Sequence, residues 1–180
     1  MEAAIIDNSK EWTVEDYLQL EEGLLAQLIE GELIVSPSPL TTHQRVLRKL
    51  FSALNSRLEK SGEVFLAPLD LHIDHKNVFQ PDLMYLSSRH SGYVIERGLN
   101  GPPDLVVEII SPSNSIFDRN TKKKKYLEFG VGEYWIIDPA NKTFELYTED
   151  IDNPDQFLVE KGLIKSSVLG KNELEFLTLF

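Results

Sequence analysis

The stretch Asp104–Ile110 (DLVVEII) constrains the fold more than any other part of the sequence. Apart from its charged residues it is apolar on both faces, as expected for a central β-strand that helices cover on both sides. Helical and extended patterns precede and follow it, and this order is typical of α/β proteins. The sequence therefore predicts an α/β fold, with a mixed central β-sheet flanked by helices, and a single domain over residues 1–180.

Three helices are predicted. A short helix is expected near residues 13–21, where Thr13 and Asp16 have the spacing of a capping box. A long helix is expected over about Thr42–Lys60, which has amphipathic spacing, and a third over about Asp118–Phe129. Gly130 then occupies the position that a helix-ending glycine prefers.

Further segments have the alternating or continuous apolar patterns of β-strands. Ser36-Pro37-Ser38-Pro39 separates the first of them from the long helix, and Ser87–Pro103 is predicted to be a long loop. The predicted extended segments are a hairpin over Ala26–Val35, then Val64–Ile73, Val78–Leu86, Asp104–Ile110 and Glu133–Asp138, a hairpin of residues 143–149 with 157–160, and an edge segment over residues 174–180.

The composition excludes several kinds of site. The sequence contains no cysteine, so disulfides, zinc–thiolate sites and thiol nucleophiles are excluded. No apolar run approaches the roughly 20 residues of a membrane span, and the first residues lack the pattern of a signal peptide, so we expect a cytoplasmic protein. The formal net charge of −11 argues against broad nonspecific binding to nucleic acid, since the only dense basic run is Lys122–Lys125.

Glu108 and Asp82 are the strongest candidates for a metal site. A carboxylate inside an apolar strand is costly unless it is paired, protonated or bound to a metal, and pairing with an arginine is the alternative explanation for Glu108. Asp82 follows Pro81 and precedes apolar residues, so we expect it near the start of a strand. If the two strands are neighbours, the carboxylates converge, and Mg²⁺ binds such oxygens together with waters and phosphates.

The lysine run supplies a candidate cation for the same site. Most of such a run on a helix faces solvent. A helical rotation of about 100° per residue aligns Lys122 with Tyr126 and Lys123 with Leu127, so geometry leaves both lysines open. A lysine on the side that faces the sheet could stabilise charge on a scissile phosphate or orient an attacking water.

Several motifs at fixed spacing resemble one known family. They are Gly31-Glu32-Leu33, Ser-Pro-Ser-Pro followed by His43, Pro81-Asp82, residues 103–113 (PDLVVEIISPS), Asp118, Lys122 and Tyr126 at intervals of four, and residues 130–139 (GVGEYWIIDP). With these motifs the chain resembles the Uma-two family of restriction endonuclease-like proteins, a branch of the PD-(D/E)XK nuclease superfamily. The resemblance extends from about Thr13 to Phe180, and the stretch Pro102–Pro139 is its specific part.

The resemblance implies a restriction-endonuclease-like fold and roles for individual residues. Asp82 corresponds to the superfamily's aspartate, Glu108 to its acidic partner, and the backbone carbonyl of Ile109 to a further metal ligand. The superfamily's lysine stands two residues after the acid, where this chain has Ile110. The family resembled here supplies its lysine from the following helix, which corresponds to Lys122.

A further departure concerns Gln27. Many relatives carry a glutamate at this position of the first hairpin, and its loss could weaken a second metal ion or abolish turnover. A glutamine still offers a neutral oxygen. The resemblance therefore implies the fold more directly than it implies activity.

These observations predict a Mg²⁺- or Mn²⁺-dependent endonuclease that hydrolyses DNA phosphodiester bonds with water as the nucleophile. Asp82, Glu108 and Lys122 are the predicted catalytic residues, and Asp82, Glu108 and Ile109 the predicted metal ligands. Two alternatives stay open. One is a nuclease-fold protein that no longer cuts and acts as a binding module or homodimeric assembly module. The other is a metal-dependent hydrolase of a smaller phosphorylated substrate.

Four other residues receive local interpretations. His43, near the start of the long helix, either touches a phosphate or serves as a cap or surface residue. Asp118 is interpreted as a helix N-cap, because it stands at the predicted start of the third helix. Tyr126 and Trp135 lie in apolar periodic contexts and are predicted to belong to the core.

Overall fold

The computed structural model describes residues 10–21, 24–35, 37–111 and 115–180. Ser36, Pro112 and Ser113 of the sequence motifs lie outside these residues. The helices of the described residues are α1 (Val14–Tyr17), α2 (Thr41–Leu58), α3 (residues 115–129) and two short 3₁₀ helices, Ser88–Tyr93 and Phe176–Leu179.

Helix α3 has three parts that follow one another without a break. An α-helical turn, Ser115–Phe117, leads into the π-helical segment Asp118–Lys122, and the α-helical part Lys123–Phe129 completes it. It ends at Gly130, whose φ of 94° lies in the left-handed region that glycine adopts without a steric penalty. The predicted helix end is therefore confirmed, while the start lies earlier than predicted.

The strands of the described residues form two larger sheets and one small pair. In chain order they are β1 (Ala26–Ile29), β2 (Glu32–Val35), β3 (Gly62–Leu66), β4 (Leu71–Asp74), β5 (Asn77–Phe79), β6 (Leu83–Ser87), β7 (Val94–Ile95), β8 (Gly98–Leu99), β9 (Leu105–Ile109), β10 (Glu133–Asp138), β11 (Thr143–Tyr147), β12 (Gln156–Val159), β13 (Leu163–Ile164) and β14 (Leu174–Glu175).

The central sheet has the strand order β12-β11-β10-β9-β6-β3. Strands β9 and β10 are parallel, and the other neighbours are antiparallel, so the sheet is mixed, as predicted. The apolar stretch Asp104–Ile110 contains β9, and each residue of β9 is buried. Its position between β10 and β6 explains why it is apolar on both faces.

The two faces of the central sheet are covered by different elements. Helix α2 and the C-terminal segment pack on one face, where Leu50 and Leu54 meet Val107 and Trp135. Helix α3 and the second sheet pack on the other face, where Tyr126 lies among Val106, Tyr134 and Phe79. Alternation along β9 therefore sends Val107 to the α2 side and Glu108 to the α3 side.

The second sheet has the order β2-β1-β5-β4-β8-β7, and part of it packs on the α3 side of the central sheet. Its hairpin β1–β2 is the one that the sequence predicts. Helix α1 packs on it through Tyr17, which lies with Leu28 and Val78 in a small core of its own. Among the residues that the structure describes, no helix is both long enough and apolar enough to span a membrane.

Several predicted extended segments are wrong in extent. Val64–Ile73 and Val78–Leu86 are each divided between the two sheets, as β3 with β4 and β5 with β6. Pro68 and Pro81 lie at the divisions, where a residue without a backbone N–H cannot donate to a continuous ladder. The predicted loop Ser87–Pro103 contains a 3₁₀ helix and the hairpin β7–β8, and the predicted edge segment over 174–180 is mostly the 3₁₀ helix Phe176–Leu179.

We predict that Gly132→Ala destabilises the protein by about 1–3 kcal/mol, the usual cost of overpacking. A Cβ at Gly132 would lie 2.7 Å from the backbone carbonyl oxygen of Asp104, where β10 begins beside β9. Gly92→Ala is the matched control, because no atom lies within 4 Å of its Cβ position, and we expect a change within about 0.5 kcal/mol. Urea denaturation measures both, and equal stability of the two variants would contradict the prediction.

Candidate active site

The C-terminal end of β9 lies beside the start of β6 in the interior of the central sheet, and both candidate carboxylates lie at these strand ends. The strands are antiparallel, with Leu83 opposite Val107. One residue further along this register, Asp82 reaches the position opposite Glu108. Opposite residues of an antiparallel pair lie on the same face of the sheet. Strands β6 and β9 are therefore neighbours, as the predicted convergence of Asp82 and Glu108 requires.

Glu108 is held by two side chains from α3. It is buried, with 3% of its surface exposed. Its Oε1 accepts hydrogen bonds from Lys122 Nζ at 3.0 Å and from the Tyr126 hydroxyl at 2.7 Å. The ion-pair partner of Glu108 among the described residues is thus a lysine, and the explanation by an arginine is wrong.

Lys122 lies between two buried carboxylates. Besides its bond to Glu108, its Nζ is 3.1 Å from Oδ1 of Asp118, one turn earlier in α3. Asp118 is not the predicted N-cap, because the helix already begins at Ser115 and Asp118 lies within the π-helical segment. The spacing of four residues between Asp118, Lys122 and Tyr126 is the sequence signal that they share one helix face.

The side chain of Asp82 is held by the backbone of β9 and by a side chain of α2. Its Oδ2 accepts a hydrogen bond from the Ile109 N–H at 2.7 Å and lies 3.0 Å from His43 Nε2. His43 is buried, and the N-cap of α2 is Leu40, so the interpretation of His43 as a cap or surface residue is wrong. Within the described part of the chain, His43 Nδ1 has no hydrogen-bond partner.

The burial of these groups shifts their pKa values. Burial raises the pKa of Glu108, the charge of Lys122 opposes this shift, and the nearby Asp118 and Asp82 add to it. Burial likewise raises the pKa of Asp118, again opposed by Lys122. Burial alone would lower the pKa of Lys122, but the two carboxylates outweigh burial and raise it, so Lys122 stays an ammonium ion.

His43 has a raised pKa for a similar reason. Burial alone would lower the pKa of its imidazole, and the hydrogen bond and charge of Asp82 outweigh that effect. The shift extends the pH range over which the imidazolium form is populated.

The side chains open into one cavity of about 520 Å³. Asp82, Glu108, Asp118 and Lys122 line it together with Ile109. The structure thus brings all of the predicted site residues together. It adds Asp118, which was predicted to be an N-cap, and His43, which was predicted either to touch a phosphate or to serve as a cap or surface residue. The catalytic and metal-binding roles of these residues stay predictions.

Gln27 lines the same cavity, so the departure noted in the sequence lies at the site itself. It is buried in β1, and its Oε1 accepts a hydrogen bond from the backbone N–H of Gln80 at 2.9 Å. Gln27 therefore links the second sheet to the segment that leads into Asp82.

The structure also shows where the other candidate residues Lys123, Tyr126 and Trp135 lie. Lys123 lies over the ring of Tyr147, with its Nζ 4.3 Å from the ring centroid, so Lys122 is the lysine that enters the site. Tyr126 and Trp135 are buried, as predicted. The apolar context of Tyr126 gives no signal of its hydroxyl contact with Glu108.

The donors that could hold a metal ion are oxygen atoms. Among the described residues, no three histidine, aspartate or glutamate side chains are grouped closely enough to form a complete metal site. Asp82 and Glu108 provide two carboxylates beside Ile109. Mg²⁺ usually retains several waters and takes one or two carboxylates, so this smaller set suits it.

We predict that Lys122→Met destabilises the protein by roughly 3–5 kcal/mol, because it leaves two buried carboxylates without their cation. The loss should be larger at about pH 9 than at about pH 6, on either side of the pKa of about 8 to which burial raises the Glu108 carboxyl. A carboxyl whose pKa is raised on folding binds more protons in the folded state, so folding is weakened as pH rises, and removal of Lys122 raises these pKa values further.

Urea denaturation without added metal, at the two pH values, measures this effect. Lys124→Met is the control, because Lys124 lies in the same run with 62% of its side chain exposed. A variant Lys122→Met that is as stable as Lys124→Met at both pH values would contradict the role of the buried ion pair.

Comparisons with known proteins identify the family and the fold. Residues 14–170 match the family described as "Uma2: Putative restriction endonuclease". The chain is 25% identical over 178 residues to the uncharacterized protein sll1609 of Synechocystis sp., with 96% of each chain covered. Its fold is similar to that of "a putative nuclease belonging to DUF820" from Anabaena variabilis, with a TM-score of 0.77, 23% identity, and coverage of 93% of this chain and 97% of that one.

The structural likeness confirms the predicted restriction-endonuclease-like fold, and the family match confirms the resemblance seen in the sequence motifs. The matched segment begins in α1 and ends after β13, so it includes the whole candidate site. Because the match extends over most of the chain, the protein belongs to the Uma2 family.

Proposed function

We propose that this protein is a metal-dependent endonuclease that hydrolyses phosphodiester bonds in DNA. The observation that carries the proposal is the convergence of Asp82, Glu108 and Lys122 on one cavity, each held by a buried contact. Two carboxylates and one ammonium beside the ends of two strands of a mixed sheet are the parts that hydrolysis of a phosphodiester by water needs.

Asp82, Glu108 and the backbone carbonyl of Ile109 would hold Mg²⁺ or Mn²⁺. Both hydrogen bonds to Glu108 from described residues go to Oε1, and both contacts of Asp82 go to Oδ2. Each carboxylate therefore has a second oxygen to offer to a cation. The bound ion supplies positive charge that polarises the phosphate and acidifies the attacking water.

Lys122 acts as a hydrogen-bond donor and not as a base. Its raised pKa keeps the ammonium charged at neutral pH. From its place beside Glu108 it orients the attacking water and offsets the negative charge that develops on the phosphate. Asp118 and Tyr126 keep Lys122 and Glu108 in position through their contacts at 3.1 and 2.7 Å.

His43 positions Asp82. Its imidazole and the Ile109 N–H approach the same carboxylate oxygen, so Asp82 has little freedom to turn away from the cavity. Such support from neighbouring groups orients metal-binding carboxylates in many proteins.

Gln27 favours a second candidate function. A neutral amide stands where many relatives are expected to carry a carboxylate, and it lies in the cavity bonded to Gln80. A protein that binds nucleic acid without cutting it, as a monomer or as a homodimer, would keep the same fold and the same buried contacts. The experiments below separate the two functions.

We predict that the purified protein nicks supercoiled plasmid DNA when Mg²⁺ or Mn²⁺ is added and not in EDTA. Asp82→Asn and Glu108→Gln each keep the shape of the side chain and remove its charge. We expect each to reduce the nicking rate by a factor of about 10² or more. Agarose gels of the relaxed and linear forms measure the rate.

Glu128→Gln is the control, because it makes the same chemical change on an exposed part of α3, where 58% of the side chain is accessible. We expect it to nick like the unaltered protein. Metal-independent nicking, or equal rates for Asp82→Asn and Glu128→Gln, would exclude the proposed endonuclease.

Metal binding can be tested without any substrate. A ligand at about 100 times its Kd stabilises the folded state by about 2.7 kcal/mol, and each kcal/mol shifts the Tm of a chain of this size by roughly 2–4 °C. We predict such a rise for the unaltered protein and for Glu128→Gln in Mg²⁺ or Mn²⁺, and little rise for Asp82→Asn. A rise of the same size in Asp82→Asn would place the metal elsewhere.

A further inference from the structure

Helix α2 has a charge opposite to that of the chain as a whole. Over Thr41–Leu58 it carries Arg45, Arg48, Lys49 and Arg57 and no acidic residue, whereas the chain has a formal net charge of −11. Its apolar side faces the core, so the charged residues belong to its outer side. Arg45 and Arg48 are exposed, and Lys49 is half-buried.

These cations have no partners within the described part of the protein. The side chains of Arg45, Arg48 and Lys49 make no ion pair or hydrogen bond with another described residue. Several basic side chains elsewhere have acidic partners, as Lys76 has Glu11 and Lys125 has Asp74. A basic surface without internal partners is suited to an external anion.

The basic surface begins at the mouth of the candidate active site. His43, Gln44 and Leu47 of α2 line the cavity. Arg48 lies one helical turn beyond Gln44 on the same side, and Arg45 is adjacent to Gln44 in sequence. At a rise of 1.5 Å per residue, Arg45 and Arg48 lie within about 6 Å of Gln44 along the helix axis.

Two arginines lie close together on this side of α2. Arg45 and Arg48 are about 4.5 Å apart along the helix axis, and guanidinium groups bind phosphate oxygens through paired N–H donors. The N-terminal end of α2 also lies at the cavity, through Leu40, and its helix dipole adds positive potential there.

We propose that the outer side of α2, formed by Arg45, Arg48 and Lys49, binds the DNA backbone next to the cleaved phosphodiester. This inference rests on the proposed function and specifies how DNA reaches the cavity. The negative net charge of the chain disfavours binding of DNA to most other parts of the surface. A local basic surface would allow a chain with a formal net charge of −11 to bind a polyanionic substrate.

The test compares two variants, each of which replaces two basic residues in or next to α2 by glutamate. Arg45→Glu/Arg48→Glu alters the surface beside the cavity. Arg57→Glu/Lys60→Glu makes the same change in net charge at the far end of α2, about 20 Å away at 1.5 Å per residue. Fluorescence anisotropy measures the affinity of each protein for a labelled duplex of about 20 base pairs, with its single strand as a second probe, in EDTA over a range of salt concentrations.

We expect Arg45→Glu/Arg48→Glu to weaken binding about tenfold or more and to reduce the slope of log K against log salt by about 2, since each phosphate contact contributes about 0.9. Arg57→Glu/Lys60→Glu should change both quantities much less. Circular dichroism and melting curves check that both variants are folded.

Equal losses in the two variants, or no loss in either, would overturn the proposal, because binding would then follow net charge or use another surface. The nicking assay keeps this outcome separate from the proposed function. A protein that never nicks DNA but loses binding only in Arg45→Glu/Arg48→Glu supports the α2 surface and excludes the endonuclease. If the protein nicks DNA and Arg45→Glu/Arg48→Glu keeps the DNA affinity of the unaltered protein, the endonuclease is supported and the α2 surface is excluded.

Discussion

The candidate site depends on one buried ammonium shared by two carboxylates. Lys122 reaches from α3 to Glu108 on β9 while it also contacts Asp118 of its own helix. Each of these groups would be costly to bury alone, and together they offset much of that cost. The contact therefore fixes how α3 lies on the central sheet. Asp118 and Lys122 are the first and last residues of the π-helical segment.

The same interaction leaves more carboxyl than basic groups at this end of the central sheet. Asp82, Glu108 and Asp118 face the cavity, and the basic side chains that contact them are Lys122 and His43. The raised pKa values of Glu108 and Asp118 follow mainly from their burial. A site that keeps such carboxylates gives up stability that apolar residues would provide, and this cost is typical of functional positions. A divalent cation would relieve the excess, in line with the proposed function.

Much of this arrangement could be predicted from the sequence, because it follows from local patterns. The apolar run of β9 identifies a central strand, Glu108 is anomalous within it, and the spacing of Asp118, Lys122 and Tyr126 marks one helix face. The division of strands between two sheets could not be predicted, since periodicity indicates which faces are buried but not which strand is the partner. The burial of His43 was also missed, because its partner Asp82 is 39 residues away in the sequence.

The surroundings of the charged groups strengthen their interactions. Leu25, Pro39, Leu40 and Pro68 line the same cavity as the carboxylates. Apolar walls reduce the water around a bound phosphate, and charges act more strongly where the local dielectric is lower. An apolar wall offers no attraction to a polyanion, so under the proposed function the basic outer side of α2 supplies part of that attraction at the mouth of the cavity. Under the same proposal, the charged groups of the cavity would carry out the reaction and the outer side of α2 would bind the DNA.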